Sequence, residues 1–361
     1  MLSYDVVEWA KALEKHERET PNPKGTEVLV KLKYCGVCHS DVHIRDGYFD
    51  LGGGKRLPMS ERGMRPPVTL GHEPCGTIIA AGPDANNVQL GCDRLVYPWT
   101  GCGDCVRCRE GLDNYCMTPC MIGIQRPGGY ADHLIVPHPR YLIDASGIDP
   151  VWAATLSCSG LSTYSAVSKL KPIPRDEWVA VMGAGGLGLS AIGMLRALGH
   201  ERIVAVDIDD AKLTAANAAG AAATANSRDG DARQKLQQIT GGALYGVVDF
   251  VGSTDTAQLG LASLRKGGKL ILVGLFGGEI PLSVGSTILR ALTIQGSHLG
   301  SVAELKAVVA LAREGRLRPI PIQMRPLSEV SRTLDELKAG TIVGRVVAEI
   351  DPEVHGRKVT L

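Results

Sequence analysis

Within the segment GCGDCVRCREGLDNYC, Cys102, Cys105, Cys108 and Cys116 are separated by two, two and seven residues. A chain that brings four thiols together in so short a loop is restricted to a compact lobe wrapped around one ion. Zinc accepts four thiolates at about 2.3 Å in a closed tetrahedron. Two disulfides or a chance cluster of buried thiols are the alternatives, and neither suits such crowding in a reducing compartment. Four protein ligands leave no vacancy for chemistry, so this lobe is read as structural and the reaction centre is sought elsewhere.

A chain of 361 residues exceeds one typical core and is expected to form two domains. It carries 39 basic and 38 acidic residues, a formal net charge of +1, with no run of like charge to follow a phosphate backbone or lipid surface. Nucleic acid and membranes are therefore poor partners. No apolar stretch approaches the roughly 20 residues that span a bilayer, and MLSYDVVEWAKALEKHERET is too charged for a signal peptide. The expected location is the cytoplasm. Ten cysteines without a regular disulfide framework agree, since Cys35, Cys75, Cys92 and Cys120 have no evident partner.

The pattern changes near Cys158. Before it, β-rich runs such as Glu27 to Lys33 and Leu134 to Val136 alternate with Gly- and Pro-rich loops, which reads as a sheet domain with long functional loops. After it, short apolar strands at Val179 to Met182, Ile203 to Val206, Gly246 to Val251 and Lys269 to Val273 alternate with helices at Leu187 to Leu198 and Ala211 to Ala219. That alternation predicts an α/β fold, a doubly wound parallel sheet with helices on both faces. The Ala-rich stretch 215–225 reads as helix followed by a small-residue strand.

The first of these strands runs into GAGGLG, with Gly183, Gly185, Gly186 and Gly188 around Leu187. Strand before, helix after and an acid at the end of the next strand are the context that a dinucleotide loop requires. Side chains here would keep a pyrophosphate from the free N–H groups and positive dipole of the helix N-terminus. Asp207, 24 residues after Gly183, is placed to accept hydrogen bonds from both hydroxyls of an adenosine ribose, which favours NAD. A 2′-phosphate would meet this carboxylate, and no Arg follows in DIDDAK, although Lys212 is in reach of the 3′ side.

Three soft ligands then stand out: Cys38 in GVCHSD, His72 in GHE and Cys158 in LSCSGLSTY. Two thiolates and one imidazole leave one open position on zinc, where an alcohol oxygen could bind. Taken singly, each cysteine is as easily a small buried apolar residue, and His72 a hydrogen-bonded core histidine.

Taken together and in this order, GVCHSD, GHE, the four-cysteine loop, CSGLSTY and GAGGLG resemble the zinc-dependent alcohol dehydrogenases of the medium-chain dehydrogenase/reductase family along the whole chain. The resemblance implies a Rossmann domain with a β-rich GroES-like catalytic domain, NAD as cofactor and two zinc ions per chain. It implies that Cys38, His72 and Cys158 hold the catalytic zinc, with Glu73 as a supporting acid beside it and Asp41 orienting the histidine. An open zinc site brings a bound hydroxyl's pKa toward about 7. Ser40 has a hydroxyl suited to take the released proton, and the resemblance extends this relay through the cofactor ribose to His43. His39 and Arg345 match positions that meet the pyrophosphate. Ser162 stands where the family usually has Thr beside the nicotinamide, and Val273, Gly274 and Leu275 match the backbone stretch that meets the carboxamide. Trp99 matches a wall of the substrate pocket.

The expected organisation is a discontinuous catalytic domain, 1–159 with 299–361, around an NAD-binding domain at 160–298. The expected activity is hydride transfer between a primary or secondary alcohol and NAD, in a homodimer or homotetramer formed along the edge of the cofactor sheet. A polyol dehydrogenase of the same family is disfavoured by Cys158, where that branch commonly offers a carboxylate. A non-catalytic zinc-stabilised binding protein is disfavoured by the intact Ser40 and His43. The segment YFDLGGGKRLPMSERGMRPP, between two expected ligands, is longer than in many relatives. It reads as a lid or pocket rim for bulky aromatic or long-chain alcohols, with Tyr48 and Phe49 as apolar wall, or else as a passive surface loop.

Overall fold

The structure, a computed structural model, describes residues 1–350. The last part of the expected catalytic domain, 351–361, lies outside the described residues. Two sheets organise the chain. In the first, the strand Val28–Val37 is buried at most of its positions and is flanked by Pro74–Ala81 and Arg345–Glu349, with His133–Val136 also pairing to it. The sheet continues through Asp93–Val96 and Leu142–Ile143 on one side and Ile322–Pro326 on the other. Its pairings are antiparallel except the last, Ile322–Pro326 with Arg345–Glu349. The C-terminal strand therefore returns to the sheet that the N-terminal third began.

The second sheet has six parallel strands in the spatial order Ala223–Asn226, Ile203–Asp207, Val179–Met182, Leu244–Asp249, Leu264–Leu272, Thr293–Gly296. This is the doubly wound order, which reverses direction between the first and fourth strands of the unit and opens a crevice at their carboxyl ends. The strand VAVM and most of IVAVD are buried on both faces, as a parallel sheet covered by helices requires. The predicted helices fall within a residue or so of the observed Gly186–Ala197 and Asp210–Ala218. The Ala-rich stretch does divide into helix and the strand Ala223–Asn226. Strand boundaries shifted more: the fifth starts at Leu264, because a register shift lets Leu244 pair with Leu264 ahead of the main ladder.

Helix starts are written locally. Ser301 and Glu304 form a reciprocal capping box for Val302–Arg313, and Asp231 caps Ala232–Thr240, which Gly241 ends at φ 69°. The segment after Gly47 is more ordered than a loop. Tyr48–Gly52 and Lys55–Pro58 form a hairpin turning at Gly52, Gly53 and Gly54, all at positive φ, and a short helical turn Met59–Arg62 follows. Tyr48 is half-buried under the Arg56 guanidinium, and Phe49 is buried.

The glycine turn itself is testable. Gly183 has φ 84°, and a methyl on Gly188 would meet the carbonyl oxygen of Gly183. Backbone cannot yield as a side-chain tip does, so Gly188→Ala is expected to cost about 1–3 kcal/mol or more and to lower the calorimetric unfolding midpoint by about 2–4 °C per kcal/mol. An unchanged midpoint would show that strand and helix separate freely at this turn.

Candidate active site

The strand Val28–Val37 ends directly at Cys38, which is the N-cap of the helix His39–Asp46. The cap is made by Asp41, whose Oδ2 accepts the Cys38 N–H at 3.0 Å. Gly47 at φ 89° ends the helix. This one-turn geometry presents Cys38, His39, Ser40 and His43 together. The same Asp41 carboxylate, fully buried, lies 3.0 Å from His72 Nδ1, accepts the Tyr130 hydroxyl at 2.8 Å and takes the Gly71 N–H at 3.4 Å. An Nδ1–H donated to Asp41 leaves the Nε2 lone pair free, and Nε2 is buried without a partner among the described residues.

That nitrogen belongs to a cluster. Donor atoms of Cys38, His72, Glu73 and Cys158 lie within 4.8 Å of one another, all on buried residues. Cys38 Sγ and Cys158 Sγ are 3.9 Å apart. This is far beyond a disulfide's 2.05 Å or so, and it is close to the edge of about 3.8 Å that a tetrahedron with bonds of about 2.3 Å possesses. Cys158 reaches the cluster from Leu156–Gly160, a π-helical turn between two α-helices. Such turns often mark functional positions. The bond from Cys158 holds the Cys38 thiol well below its usual range and pushes Cys158 up, so one thiolate forms readily in a fully buried site. Two sulfurs and an unpartnered imidazole nitrogen fit zinc.

Glu73 is engaged on one side by an arginine. Its Oε1 accepts a hydrogen bond from Arg345 Nη2, both groups being buried, while Oε2 has no partner among the described residues. Burial lifts the Glu73 carboxyl to about 7 even against the neighbouring guanidinium. Space for it exists because residue 36 is glycine; any Cβ there would meet the Glu73 carboxylate. Arg345 also lies against Gly186, whose Cβ would stand 2.6 Å from the arginine Cδ. The Arg345 side chain thus spans from Glu73, at its guanidinium, to the glycine loop, at its methylenes.

The four-cysteine loop closes as its spacing predicts. Cys102 and Cys108 sulfurs are 3.9 Å apart, Cys105 and Cys108 3.5 Å, Cys105 and Cys116 3.8 Å. Backbone N–H groups of Cys102 and Cys105 point at Cys116 and Cys102 sulfurs at 3.4 Å, stabilising negative sulfur. Hydrogen bonds from the Cys105 backbone lower the Cys102 thiol to about 6. None of the ten cysteines is in a disulfide.

At the second sheet, a Cβ on Gly185 would meet nothing within 4 Å, which leaves an open cradle before the N-terminus of Gly186–Ala197. Asp207 reaches back to this loop: Oδ2 accepts the Ala184 N–H at 2.6 Å, and Oδ1 accepts those of Ile208 and Asp209 at 2.7 and 3.1 Å. A carboxylate has about four acceptor sites, so capacity remains for a ribose hydroxyl. An open loop on a helix N-terminus beside a carboxylate fits a dinucleotide. Gly274 packs on the Val251 backbone, and Val273 donates to Asp249 O at 2.9 Å, so Val273, Gly274 and Leu275 follow the fifth strand at the crevice. Leu275 is exposed. Lys212 extends from the next helix with Nζ near Gly340.

The remaining expected residues divide. Ser162 is buried one residue into Leu161–Lys169. Trp99 is buried with its ring 5.1 Å from that of His72, and its Nε1 donates to Ser157 O at 3.0 Å. The His39 and His43 rings are 5.0 Å apart, and burial holds His43 down at about 4. Sequence reasoning missed Tyr130, the fourth partner of Asp41, and Phe276, whose exposed ring lies 4.9 Å from His39 across the crevice. Neither had a motif around it.

Two family models match, an alcohol dehydrogenase GroES-like domain over residues 24–146 and a zinc-binding dehydrogenase over 186–314. The chain is 35% identical to an NAD-dependent alcohol dehydrogenase of Sulfurisphaera tokodaii over 96% of its own length and 99% of the relative's. It is 34% identical to an alcohol dehydrogenase of Geobacillus stearothermophilus over 96% and 98%. The alcohol dehydrogenase of Aeropyrum pernix superposes with a TM-score of 0.87 at 28% identity, covering 97% of this chain and all of that one. With a GroES-like sheet, a doubly wound sheet and the cysteine clusters already in place, these likenesses make the chain an oxidoreductase of the zinc-type alcohol dehydrogenase family, within the medium-chain dehydrogenase/reductases.

Proposed function

We propose that the protein is a zinc- and NAD-dependent dehydrogenase of primary or secondary alcohols, reversible toward aldehyde or ketone, with one catalytic and one structural zinc per chain. The observation that carries this is the contrast between the two clusters. Four thiols close the lobe at Cys102, Cys105, Cys108 and Cys116, whereas Cys38, His72 and Cys158 converge in a buried cluster beside Glu73, whose Oε1 is engaged by Arg345. A three-ligand set retains an open position. Zinc bound there supplies Lewis acidity that makes an alcohol hydroxyl ionise near neutral pH, and NAD supplies the hydride acceptor.

The chain's own residues do the rest. Asp41 fixes the His72 tautomer. Ser40 takes the hydroxyl proton and His43 passes it outward; burial lowers His43 to about 4, so it would carry the proton in transit rather than hold it at physiological pH. Asp207 holds the adenosine ribose, the loop Gly183 to Gly188 receives the pyrophosphate with His39 and Arg345, and Ser162 with Val273, Gly274 and Leu275 positions the nicotinamide. Lys212 is assigned the 3′ side of the ribose. Trp99 and Phe49 offer apolar walls, suited to bulky aromatic or long-chain alcohols. The proposed domains are 1–159 with 299–361, and 160–298; the pairing of Arg345–Glu349 with Val28–Val37 supports the discontinuous one. The proposed assembly is a cytoplasmic homodimer or homotetramer joined at the edge strand Thr293–Gly296. Beside that strand, Leu282, Val284, Ile288 and Leu289 are at least half exposed, an apolar patch suited to a partner.

Metal analysis is expected to give about two zinc ions per chain. Cys38→Ser should lose one and nearly all turnover of a panel of alcohols while keeping the unfolding midpoint. Cys105→Ser should first lower that midpoint, because a local site contributes folding energy. A stable, inactive Cys105→Ser beside an active Cys38→Ser would reverse the roles. Chelator-treated enzyme should lose NAD reduction and regain it with zinc.

Cofactor preference is expected to be strongly for NAD. Asp207→Ser should relax it, since like-charge repulsion with a 2′-phosphate disappears along with the ribose bonds. Wild-type kinetic constants favouring NADP would sink this assignment.

A further inference from the structure

The ordered segment between Cys38 and His72 ends at Arg62, and the surroundings of that side chain are incomplete. Its guanidinium lies over the ring of Phe49, with Cζ 5.2 Å from the centroid, and the Phe49 ring is 5.5 Å from that of His43. Its backbone is fastened to the wall that carries Trp99. Gln125 Nε2 donates to Arg62 O at 3.3 Å, Gln125 Oε1 accepts the Met121 N–H at 3.1 Å, and the neighbouring Ile122 N–H bonds to Pro98 O at 2.9 Å. Trp99 in turn faces His72. Arg62 therefore stands beside the approach to the Cys38, His72 and Cys158 cluster.

Among the described residues, no carboxylate pairs with the Arg62 guanidinium and no acceptor takes its N–H groups. Exposed arginines in that condition are ordinary. Arg62 is only half exposed, and burial without a compensating anion pushes its pKa down. Phe49 engages the face of the guanidinium, which leaves the in-plane donors free for an anion. His298 stands within electrostatic reach, kept neutral by burial and by Arg62 itself. Its position is fixed from the other side: Asn114 Nδ2 donates to His298 O at 3.2 Å, and the Tyr97 hydroxyl to Gly300 O at 2.7 Å. Arg62 and His298, from two separate segments, thus lie within electrostatic reach of one another, and no carboxylate pairs with the guanidinium among the described residues.

We propose that Arg62, with His298 beside it, reads an anionic end group on the substrate, so that the preferred alcohol has its hydroxyl at the thiolate and imidazole cluster, an apolar body along Phe49 and Trp99, and a carboxylate at its far end. This rests on the reading of that cluster as the site of alcohol oxidation. Arg62 acts here as a specificity determinant. A guanidinium donates two parallel hydrogen bonds to a carboxylate, and a neutral imidazole adds one N–H without adding a charge that burial would oppose.

The test compares matched pairs of alcohols with NAD as acceptor, such as 4-(hydroxymethyl)benzoate against 4-methylbenzyl alcohol, and ω-hydroxy carboxylates against neutral alcohols of equal length. Wild-type enzyme is expected to favour the acid of at least one pair in kcat/KM. In Arg62→Gln the acid-to-neutral ratio should fall roughly 10- to 100-fold, the range of a charge-assisted hydrogen bond, chiefly through KM. Arg62→Lys should restore only part of it. A wild-type preference for the neutral partner at every length overturns the proposal, as does an Arg62→Gln that moves both members equally. A rise in the NAD dissociation constant of Arg62→Gln, with the substrate ratio unmoved, would give Arg62 to the cofactor phosphates instead. Thermal shift with 4-methylbenzoate separates the two layers. Stabilisation that needs Arg62, in a zinc-loaded protein that oxidises no alcohol, would keep the anion site and discard the oxidation reading. Stabilisation equal in wild type and Arg62→Gln would discard the anion site.

Discussion

The buried carboxylate of Asp41 holds the site in register. It caps the helix His39–Asp46 through the Cys38 N–H, sets the His72 ring through Nδ1 and takes the Tyr130 hydroxyl and Gly71 N–H. These partners come from three separate stretches of chain, around Cys38, Gly71 with His72, and Tyr130. An ionised carboxylate with no solvent contact is tolerated only when its acceptor sites are filled, and each donor left unmatched by its loss would cost about 1–3 kcal/mol. The order of the metal cluster is thus a consequence of satisfying one anion. The helix that the anion starts also carries Ser40 and His43, so the proposed ligands and the proposed proton path share one origin.

A second link runs between the two sheets. Arg345 opens the strand that returns to Val28–Val37, ion-pairs with Glu73 beside the cluster and lies on Gly186 in the cofactor loop. Two glycines make this possible, Gly36 by leaving room for Glu73 and Gly186 by leaving room for Arg345. The buried cluster and the glycine loop are therefore bridged by one arginine side chain, its guanidinium on the Glu73 carboxylate and its methylenes on Gly186. An anion arriving at the glycine loop and a ligand arriving at the cluster would each act on that pair.

What the sequence made legible follows from contact range. The four-cysteine lobe, the glycine turn, Asp207 and the alternating strands are local patterns, and each appears in the structure close to where spacing put it. The doubly wound order follows from that alternation. The segment after Gly47 was read as a loop although it is a hairpin, because three consecutive glycines hide the turn between short strands. Arg345 and Glu73 are separated by 272 residues, and Cys38 and Cys158 by 120. Spacing carries no information about such pairs; only the resemblance placed them in one site, and it did not show the ion pair or the π-helical turn that delivers Cys158.

The same contrast separates the two metal clusters physically. Cys102 to Cys116 is a short loop with Cys102 exposed, and its sulfurs are organised by their own neighbouring N–H groups. Its far end is fastened by Asp113, which accepts from Arg140 and the Tyr141 hydroxyl, and by Asn114, which donates to His298 O. Cys38, His72 and Cys158 are all buried, and each is fixed by elements that pack for other reasons: a capped helix, a carboxylate-bound ring and a turn inside a helical segment. Their geometry is supported by contacts that do not involve a metal. Preorganisation of this kind lets a site keep a position open, because the protein does not need a fourth ligand to draw the other three together.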